Sequence, residues 1–384
     1  SDSEATDALE AQLSASVRAQ LLADVPVGVF LSGGIDSSTI VALMQAQSHQ
    51  PVRTFTIGTH TAHDEARHAR AVAKHLGTEH TEFYVTPEDA LAVVPKLPIM
   101  YCEPFSDSSQ IPTFLVSQLA SRHVKVALSG DAGDELFGGY NRYLTARRVW
   151  RRISRLPLAA RRAVAAGLRV LAPATWEKLY SAVHPLLPMG LHIVTPGDKA
   201  HKLAEVVALS DNHAFYRQLT SHWHNPAAVV IGAQEPQTLL TNPTAWPKNN
   251  SFEHWMMAMD AQTYMTDDIL VKVDRAAMAN SLETRVPMLD HQVVELAWRI
   301  PLHQKIRQGQ GKWLLRQVLY RHVPKELIEG PKTGFGIPLD AWLRKPLRDW
   351  VEALIDETRL RREGYFQSAP IRRMWAEHLS GRRN

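Results

Sequence analysis

The stretch that most constrains the fold runs from Phe30 to Ser38 and has the sequence Phe-Leu-Ser-Gly-Gly-Ile-Asp-Ser-Ser. It follows a short apolar run, Val25 to Leu31, which predicts a buried strand. A helical pattern begins at Ser37, so a strand, a glycine turn and a helix start follow one another. Glycines let the backbone approach a ligand closely, and the free N–H groups of a helix start favour an anion. The stretch therefore predicts a phosphate-binding loop.

The carboxylate of Asp36 lies beside this predicted anion site, which makes chemical sense if Mg²⁺ lies between the carboxylate and the phosphate. No segment of the sequence matches a Walker loop or a Rossmann fingerprint. The pattern Ser-Gly-Gly-x-Asp-Ser-Ser instead resembles the pyrophosphatase loop of enzymes that cleave ATP between the α and β phosphates. The alternative is a glycine-rich turn that binds no ligand.

Composition limits the class of protein. The 384 residues are 45% hydrophobic and 21% charged, which is ordinary for a globular chain with a large core. The single cysteine, Cys102, excludes an internal disulfide and a cysteine-based zinc site, and it suits a reducing cytosol. The sequence has no apolar run long enough for a transmembrane helix, so a cytoplasmic location is expected.

Strand patterns alternate with helical patterns over residues 25–130. The predicted strands are Val25–Leu31, Val52–Ile57, His80–Val85 and Val124–Leu128. This alternation predicts a parallel sheet covered by helices on both faces, with ligands beyond the C-terminal ends of the strands. After about residue 145 the strand signals fade, and the remainder is predicted to be mostly helical.

A basic stretch between Arg147 and Arg169 contains eight arginines. Its apolar positions favour a solvated helix pair, and tRNA or an acidic membrane surface are the alternatives. Trp150 is its one aromatic residue, whereas single-stranded nucleic acids stack on several aromatic side chains. Because the net charge is only +4, the chain is expected to bind neither nucleic acid nor a membrane.

A second motif, Ser129–Tyr140, follows the strand predicted to end at Leu128. It places three carboxylates within five residues, at Asp131, Asp134 and Glu135. These charges repel one another unless a cation lies among them, and Mg²⁺ on a nucleotide would supply it. The alternative is a polar turn that caps a helix beginning near Asp134.

Together the two motifs resemble the synthetase domain of the glutamine-dependent asparagine synthetase family. Ser281–Asp290, with its Glu-Thr-Arg-Val-Pro core, and Pro331–Pro338, with its lysine, are similar to two later motifs of that family. The resemblance implies an α/β fold with a doubly wound parallel sheet of the adenine-nucleotide alpha-hydrolase (PP-loop ATP pyrophosphatase) type. It implies a nucleotide-binding core over residues 1–145 and a mainly helical part over residues 146–384 that completes the site.

The resemblance also implies roles for individual residues. The ATP-binding positions are Leu31, Ser32, Gly33, Gly34, Asp36, Ser37, Ser38, Ile57, Ser129, Gly130 and Asp134. Asp36 and Asp134 would hold Mg²⁺ on the pyrophosphate, and Leu31 and Ile57 would bracket the adenine. The positions expected to serve catalysis are Asp131, Lys332, Glu283, Arg285 and Asp268.

Among these catalytic positions, Asp131 is the acidic residue linked to the acyl-adenylate. Lys332 would neutralise charge on the α-phosphate and on the leaving pyrophosphate. Asp268, Glu283 and Arg285, with Lys272, match polar positions that line the family's site. A buried salt-bridge network is the alternative for these last four.

The implied activity is ATP-dependent amide formation. A carboxylate, with aspartate favoured, is adenylated in the presence of ATP and Mg²⁺, and ammonia displaces AMP from the acyl-adenylate. The ammonia would come from a glutaminase domain or subunit. That domain relies on a cysteine at its mature N-terminus, whereas this chain begins Ser1-Asp2, so we expect a fragment of a longer protein.

One departure concerns the substrate. Pro112 stands where asparagine synthetases often have an arginine that holds the substrate's carboxylate. The same chemistry on another carboxylate, in polysaccharide or secondary-metabolite synthesis, is therefore the runner-up. A tRNA-modifying enzyme with the same loop and a nonenzymatic relative are further alternatives, and a homodimer stays open.

Overall fold

The computed structural model divides the chain into two compact units. The structure describes residues 1–59, 65–171, 175–176, 179–180, 196–223, 225–249, 251–329 and 339–381. One unit combines Ser1–Leu144 with Thr244–Trp342, and the other combines Thr145–Pro243 with Leu343–Asn384. The functional division expected at residue 145 stays a prediction.

In the described part of the chain, five parallel strands form one sheet in the first unit. They are β1 (Val27–Phe30), β2 (Arg53–Gly58), β3 (Glu79–Tyr84), β4 (Val126–Leu128) and β5 (Glu283–Arg285). Their order is β3-β2-β1-β4-β5, and each neighbouring pair is parallel. The predicted parallel α/β fold is therefore confirmed. The chain passes from β1 to β2 and β3 on one side and then to β4 on the other, so the strand order reverses between β1 and β4.

The helices accompany the strands in chain order. Up to residue 153 they are α1 (Asp2–Gln20), α2 (Ile35–Ala46), α3 (Glu65–Leu76), α4 (Pro87–Val93), α5 (Leu97–Tyr101), α6 (Gln110–Ser121), α7 (Gly133–Phe137) and α8 (Asn141–Ile153). The next three are α9 (Leu158–Val170), α10 (Pro196–Val207) and α11 (Asn212–Thr220).

The C-terminal helices complete both units. They are α12 (Phe252–Gln262), α13 (Leu270–Met278), α14 (His291–Arg299), α15 (Leu302–Lys305), α16 (Trp313–Leu319), α17 (Lys325–Ile328), α18 (Leu339–Arg344), α19 (Arg348–Leu354), α20 (Glu357–Glu363) and α21 (Ser368–Leu379). A π-helical turn, Met265–Ile269, precedes α13. Within the described residues, none of these helices combines the length and hydrophobicity that crossing a membrane requires.

The observed ends differ from the predicted ones by a few residues. Helix α2 begins at Ile35, so Asp36 and Ser37 lie in its first turn rather than in the loop before it. The sequence did not predict β5. Its residues, Glu-Thr-Arg, are polar, and it pairs with β4 at the edge of the sheet. A short polar edge strand has no apolar run that would reveal it.

A hydrophobic core joins elements that are far apart in sequence. Leu9 and Leu13 of α1 are fully buried together with Val29 of β1, Leu128 of β4 and Leu315 of α16. Each such side chain stabilises the fold by roughly 1.5–3 kcal/mol when it leaves water. The core thus fixes the ends of β1 and β4, where the two glycine motifs begin.

Candidate functional site

The two glycine motifs meet at the carboxyl edge of the sheet, where the strand order reverses. Because β1 and β4 are parallel neighbours, the loops that follow them are adjacent. A Cβ atom on Gly130 would lie 2.6 Å from the main-chain N of Ser37, and one on Gly133 would lie 2.3 Å from Oδ1 of Asp36. Side chains at these positions would collide with the first turn of α2. The glycines therefore allow the second motif to pack directly on the first, at the edge where open α/β sheets bind ligands.

The first loop is held by its own serines and leaves a helix start uncapped. The N–H of Ser32 donates to Oγ of Ser37 over 3.2 Å, and the N–H of Gly34 donates to Oγ of Ser32 over 3.3 Å. Gly33 has a φ of 77° and lies against α3, where a Cβ atom would approach Ala69 N to 2.6 Å. Gly34 is the N-cap of α2 and has no side chain to cap the first N–H groups. These groups can therefore serve an anion.

Five of the predicted nucleotide-binding residues are buried, and Ser37 and Ser129 are two of them. Leu31 is 1% exposed, Ile57 is 6% exposed and Ser38 is fully buried. The N–H of Leu31 donates to the carbonyl of Phe55 over 3.0 Å, which continues the β1–β2 pairing. A nucleotide contact at these positions would therefore use main-chain atoms, and the contact itself stays a prediction.

Lys312, which the sequence did not single out, lies between the two carboxylates predicted to hold metal. Its Nζ forms an ion pair with Asp36 and lies 2.7 Å from Oδ1 of Asp134. Burial lowers the pKa of this ammonium group, but the two carboxylates outweigh burial and raise the pKa well above its ordinary value. The lysine is therefore charged, and it joins the first loop to the second.

The backbone at Lys312 is shaped for this contact. Its φ is 58°, in the left-handed region that costs a non-glycine residue roughly 1–2 kcal/mol. Its N–H donates to the carbonyl of Phe137 over 3.0 Å. A Cβ on Gly139 would lie 2.0 Å from both Cε of Lys312 and Oδ1 of Asp134. Strained backbone of this kind is concentrated at functional sites, so the left-handed conformation of Lys312 is structural evidence for a functional role.

The pair of carboxylates fits a magnesium ion. Asp36 and Asp134 both reach one ammonium nitrogen, so their oxygens lie close enough to share a single cation. Mg²⁺ commonly takes one or two carboxylates and completes its shell with phosphate oxygens and water. No group of three or more His, Cys, Asp or Glu side chains among the described residues could hold a metal by itself. The donor set therefore fits a metal that binds together with phosphate.

Asp131 begins a second polar cluster beside the loops. The hydroxyl of Ser129 donates to its carboxylate, and the N–H of Asp131 donates to Oγ of Ser129 over 3.2 Å. Burial raises the pKa of Asp131, and the Ser129 hydrogen bond and the charge of Lys272 oppose that rise. The charge of Lys272 from α13 therefore acts on Asp131, and the catalytic role of Asp131 stays a prediction.

Lys272 ties this cluster to the segment before α6. Its Nζ lies 2.7 Å from Oδ2 of Asp107 and 2.8 Å from Oγ of Ser109. Burial acts to raise the pKa of Asp107, but the charge of Lys272 and the hydrogen bonds from Lys272 and Ser109 outweigh burial. The pKa of Asp107 is therefore lower than its ordinary value. Asp268 behaves oppositely: burial and the neighbouring Asp107 raise its pKa to about 6. Asp107 and Ser109 are partners that the sequence did not identify.

Glu135 and Tyr140 form a further buried contact. Glu135 is 1% exposed, and the hydroxyl of Tyr140 donates to its Oε1 over 2.6 Å. Burial raises the pKa of Glu135 to about 7. The guanidinium of Arg142 lies 4.0 Å from the centre of the Tyr140 ring and is held by Asp260 over 2.8 Å. Tyr140 thus connects the buried Glu135 with the Arg142–Asp260 ion pair.

Two predicted catalytic residues make structural contacts instead. Nε of Arg285 donates to Glu283 over 2.6 Å, and its Nη1 donates to the carbonyls of Gln20 and Leu22 at the end of α1. These contacts match the salt-bridge alternative, although Glu283 is exposed rather than buried. A catalytic role for the pair stays a prediction without geometric support. Lys332 lies outside the described residues.

The parallel sheet, with its two glycine loops at the reversal of strand order, defines an α/β protein of the PP-loop type. Comparison with known proteins then places the chain in one family of that type. The family model described as asparagine synthase matches residues 8–384, and the chain belongs to that family.

Individual relatives agree with this assignment. The chain is 31% identical over 377 residues to asparagine synthetase 1 (glutamine-hydrolyzing) of Bacillus subtilis, covering 95% of this chain and 54% of that protein. It is 34% identical over 384 residues to a Mycobacterium bovis protein whose name gives asparagine synthetase as a provisional assignment, covering 98% of this chain and 54% of that protein. The chain thus spans about half the length of the curated relatives it matches.

Proposed function

We propose that this chain is an ATP-dependent, AMP-forming ligase that converts a carboxylate into an amide. A carboxylate is a poor acyl donor because its leaving group would be oxide. Transfer of the AMP part of ATP to the carboxylate replaces that leaving group with AMP and releases pyrophosphate. Ammonia then attacks the carbonyl, AMP departs, and one proton is lost from nitrogen. Such a protein acts mainly by positioning its substrates and neutralising charge.

The observation that supports this function best is the Asp36–Lys312–Asp134 cluster at the start of α2. Pyrophosphate is a concentrated anion, and the uncapped N–H groups of α2 would bind one end of it. Lys312 would supply a fixed positive charge close to the α–β bond. Asp36 and Asp134 would hold Mg²⁺, which screens phosphate charge when bound. Lys332, as predicted from the sequence, would add a second cation.

The second cluster would hold the carboxylate substrate. Asp131 belongs to the second loop and interacts electrostatically with Lys272, and it would orient the acyl-adenylate. Asp107 and Asp268 would receive an ammonium group such as that of aspartate. The pKa of Asp268, about 6, suits a group that accepts the proton released by the attacking ammonia. Aspartate is therefore the favoured substrate, and asparagine the favoured product.

The test is a product assay with ATP, Mg²⁺, aspartate and ammonium chloride. We expect asparagine, AMP and pyrophosphate in equal amounts, and formation of ADP and phosphate would exclude adenylation. Asp36→Ala should slow pyrophosphate release at least about 100-fold, because it removes a ligand of the Mg²⁺ that would neutralise the leaving pyrophosphate. Asp24→Ala, which removes an exposed aspartate before β1, is the matched control and should keep the wild-type rate.

A second candidate is the same reaction on a different carboxylate. Pro112 is buried in α6, so the position where the family often has an arginine offers no charge to a substrate carboxylate. Pyrophosphate release should therefore be screened across amino acids, sugar acids and peptide side chains. If aspartate gives no release and another carboxylate does, the adenylation proposal stands and aspartate is excluded. Glutamine in place of ammonium tests whether this chain alone uses it as the nitrogen source.

A further inference from the structure

The segment from Arg147 to Arg169 concentrates positive charge that the proposed reaction does not use. It contains eight arginines and no acidic residue, whereas the net charge of the whole chain is +4. The remaining residues therefore carry a net negative charge, and the excess positive charge is concentrated in this one segment. Polarisation of this kind indicates an interaction with an anionic partner.

One of these arginines has a structural role. Arg161 is 5% exposed, and it donates to the carbonyls of Leu156 over 3.1 Å and Leu209 over 2.8 Å. Its guanidinium also lies 5.3 Å from the centre of the Trp150 ring. Arg161 therefore fixes α8, α9 and the chain after α10 together and is unavailable to a partner.

Six other arginines form what we call the basic surface. They are Arg148, Arg151, Arg152, Arg155, Arg162 and Arg169, all exposed. In the part of the chain that the structure describes, none of the six forms an ion pair. Arg148, Arg151 and Arg152 lie at i, i+3 and i+4, so they share one face of α8 and repel one another. An anionic partner would relieve that repulsion.

Exposed aliphatic side chains lie among these charges. Val149 is 39% exposed and Leu156 is 50% exposed, next to the arginines of α8. In α9, Val164 is 46% exposed and Val170 is 79% exposed. Arginines interleaved with exposed aliphatic groups suit the boundary between lipid headgroups and acyl chains.

We propose that the basic surface binds an anionic lipid membrane, with the protein lying on the headgroups. Nucleic acid fits less well, because Trp150 stacks against Phe215 at 5.9 Å and is covered by Arg161, so it offers no platform for a base. The expectation from sequence alone, a solvated helix pair without a membrane partner, placed Val149 and Leu156 on the apolar back of the pair, whereas the structure leaves both exposed.

The experiment is co-sedimentation of the chain with vesicles. We expect binding to vesicles of 30% phosphatidylserine in phosphatidylcholine at 50 mM NaCl, little binding to pure phosphatidylcholine, and release at 500 mM NaCl. Each arginine near an anionic surface strengthens partitioning about fivefold. The triple variant Arg148→Gln, Arg151→Gln, Arg152→Gln should therefore bind about 100-fold more weakly.

The control removes equal charge elsewhere. The triple variant Arg67→Gln, Arg122→Gln, Lys125→Gln replaces exposed cations outside the basic surface and should lose less than about threefold. If the first variant does not fold, as judged by circular dichroism, Leu156→Ser replaces it and should weaken binding severalfold. Equal binding to both vesicle types, equal loss in both triple variants, or binding to a single-stranded RNA without binding to vesicles would each overturn the proposal.

Discussion

Lys312 is the residue on which the nucleotide side of the site depends. It forms ion pairs with both Asp36 and Asp134, so Lys312→Met would leave two carboxylates facing each other. Removal of one partner from a largely buried ion pair leaves uncompensated charge, and we expect the free energy of unfolding to fall by about 2–4 kcal/mol. Because the two carboxylates could then share Mg²⁺, millimolar MgCl₂ should restore part of that loss. Thermal unfolding with and without MgCl₂ measures both effects.

The control for this prediction is Lys74→Met, which removes an exposed lysine and should change stability by less than about 0.5 kcal/mol. A Lys312→Met protein as stable as the wild type would contradict the ion-pair assignment. If MgCl₂ does not reduce the destabilisation, the shared cation site is contradicted, but the assignment of the ion pair still holds.

Lys305 shows the opposite case of a buried lysine. It is fully buried, its Nζ has no hydrogen-bond partner among the described residues, and burial lowers its pKa to about 7. The nearby groups are the Trp298 ring, 4.9 Å from Nζ, and His254, whose pKa is lowered by burial and then by the charge of Lys305. The unfolded chain keeps this proton to a higher pH than the folded chain. Burial of the charged Lys305 therefore lowers the free energy of unfolding by its full amount below pH 7. This destabilisation disappears as the pH rises toward the ordinary lysine pKa.

Lys305→Met should therefore stabilise the protein near pH 6.5 by about 3–5 kcal/mol relative to wild type, and by much less near pH 10. Urea unfolding at the two pH values measures the difference. Lys74→Met, again the exposed control, should show the same difference from wild type at both pH values. A stabilisation by Lys305→Met that is independent of pH would mean that packing, not burial of charge, is responsible.

At the scale of elements, the contact between the second loop and α2 depends on the absence of a side chain at Gly130. A Cβ atom there would lie 2.6 Å from main-chain N of Ser37. We expect Gly130→Ala to push the loop away from α2, lower the melting temperature, and reduce ATP–pyrophosphate exchange at least tenfold. Backbone, rather than a flexible side chain, blocks the new methyl group, so local relaxation cannot absorb it.

Gly167→Ala is the matched control. Gly167 lies in the interior of α9, and an added Cβ would have no atom within 4 Å. Alanine there should stabilise the helix by about 0.5–1 kcal/mol and leave exchange unchanged. Loss of exchange in both variants, or in neither, would show that the close packing at Gly130 does not support the reaction.

The sequence was informative where a local pattern carries the structure. The strands β1 and β4 lie in short apolar runs, β2 alternates threonine with phenylalanine and isoleucine, and glycines mark the loops that follow β1 and β4. Strand β5 escaped prediction because a polar three-residue edge strand acquires its structure only by pairing with β4. Tertiary contacts of this kind leave no periodicity in the chain.

The same reason explains the site. Asp36 and Asp134 lie in recognisable motifs, but Lys312 is 276 positions away from Asp36. A single lysine forms no sequence pattern from which its contact with Asp36 could be predicted. Asp107 pairs with Lys272 across 165 positions. Glu283 and Arg285 were expected in the site by resemblance, yet their side chains lie two positions apart on one strand and pair with each other. Sequence patterns thus identified the loops better than the charges that complete them.

At the scale of the whole molecule, the two compact units predict two unfolding steps. The sheet and both loops lie in the unit built from Ser1–Leu144 and Thr244–Trp342, whereas α9 lies in the other unit. Chains with more than one compact unit commonly depart from a single two-state transition. Differential scanning calorimetry should therefore resolve two overlapping transitions, each of which responds to its own perturbation.

ATP with Mg²⁺ and Gly167→Ala should act on different transitions. At a hundredfold excess over its dissociation constant, the nucleotide should stabilise the unit that binds it by about 2.7 kcal/mol and raise that transition by about 5–10 °C. Gly167→Ala should raise the other transition by about 1–4 °C, because the substitution removes backbone entropy from the unfolded form of α9. In the double variant Lys312→Met, Gly167→Ala, ATP with Mg²⁺ should no longer raise the first transition temperature. The increase in the other transition temperature caused by Gly167→Ala should remain. If both perturbations move the same transition, the chain unfolds as one cooperative body and the prediction of two steps is wrong.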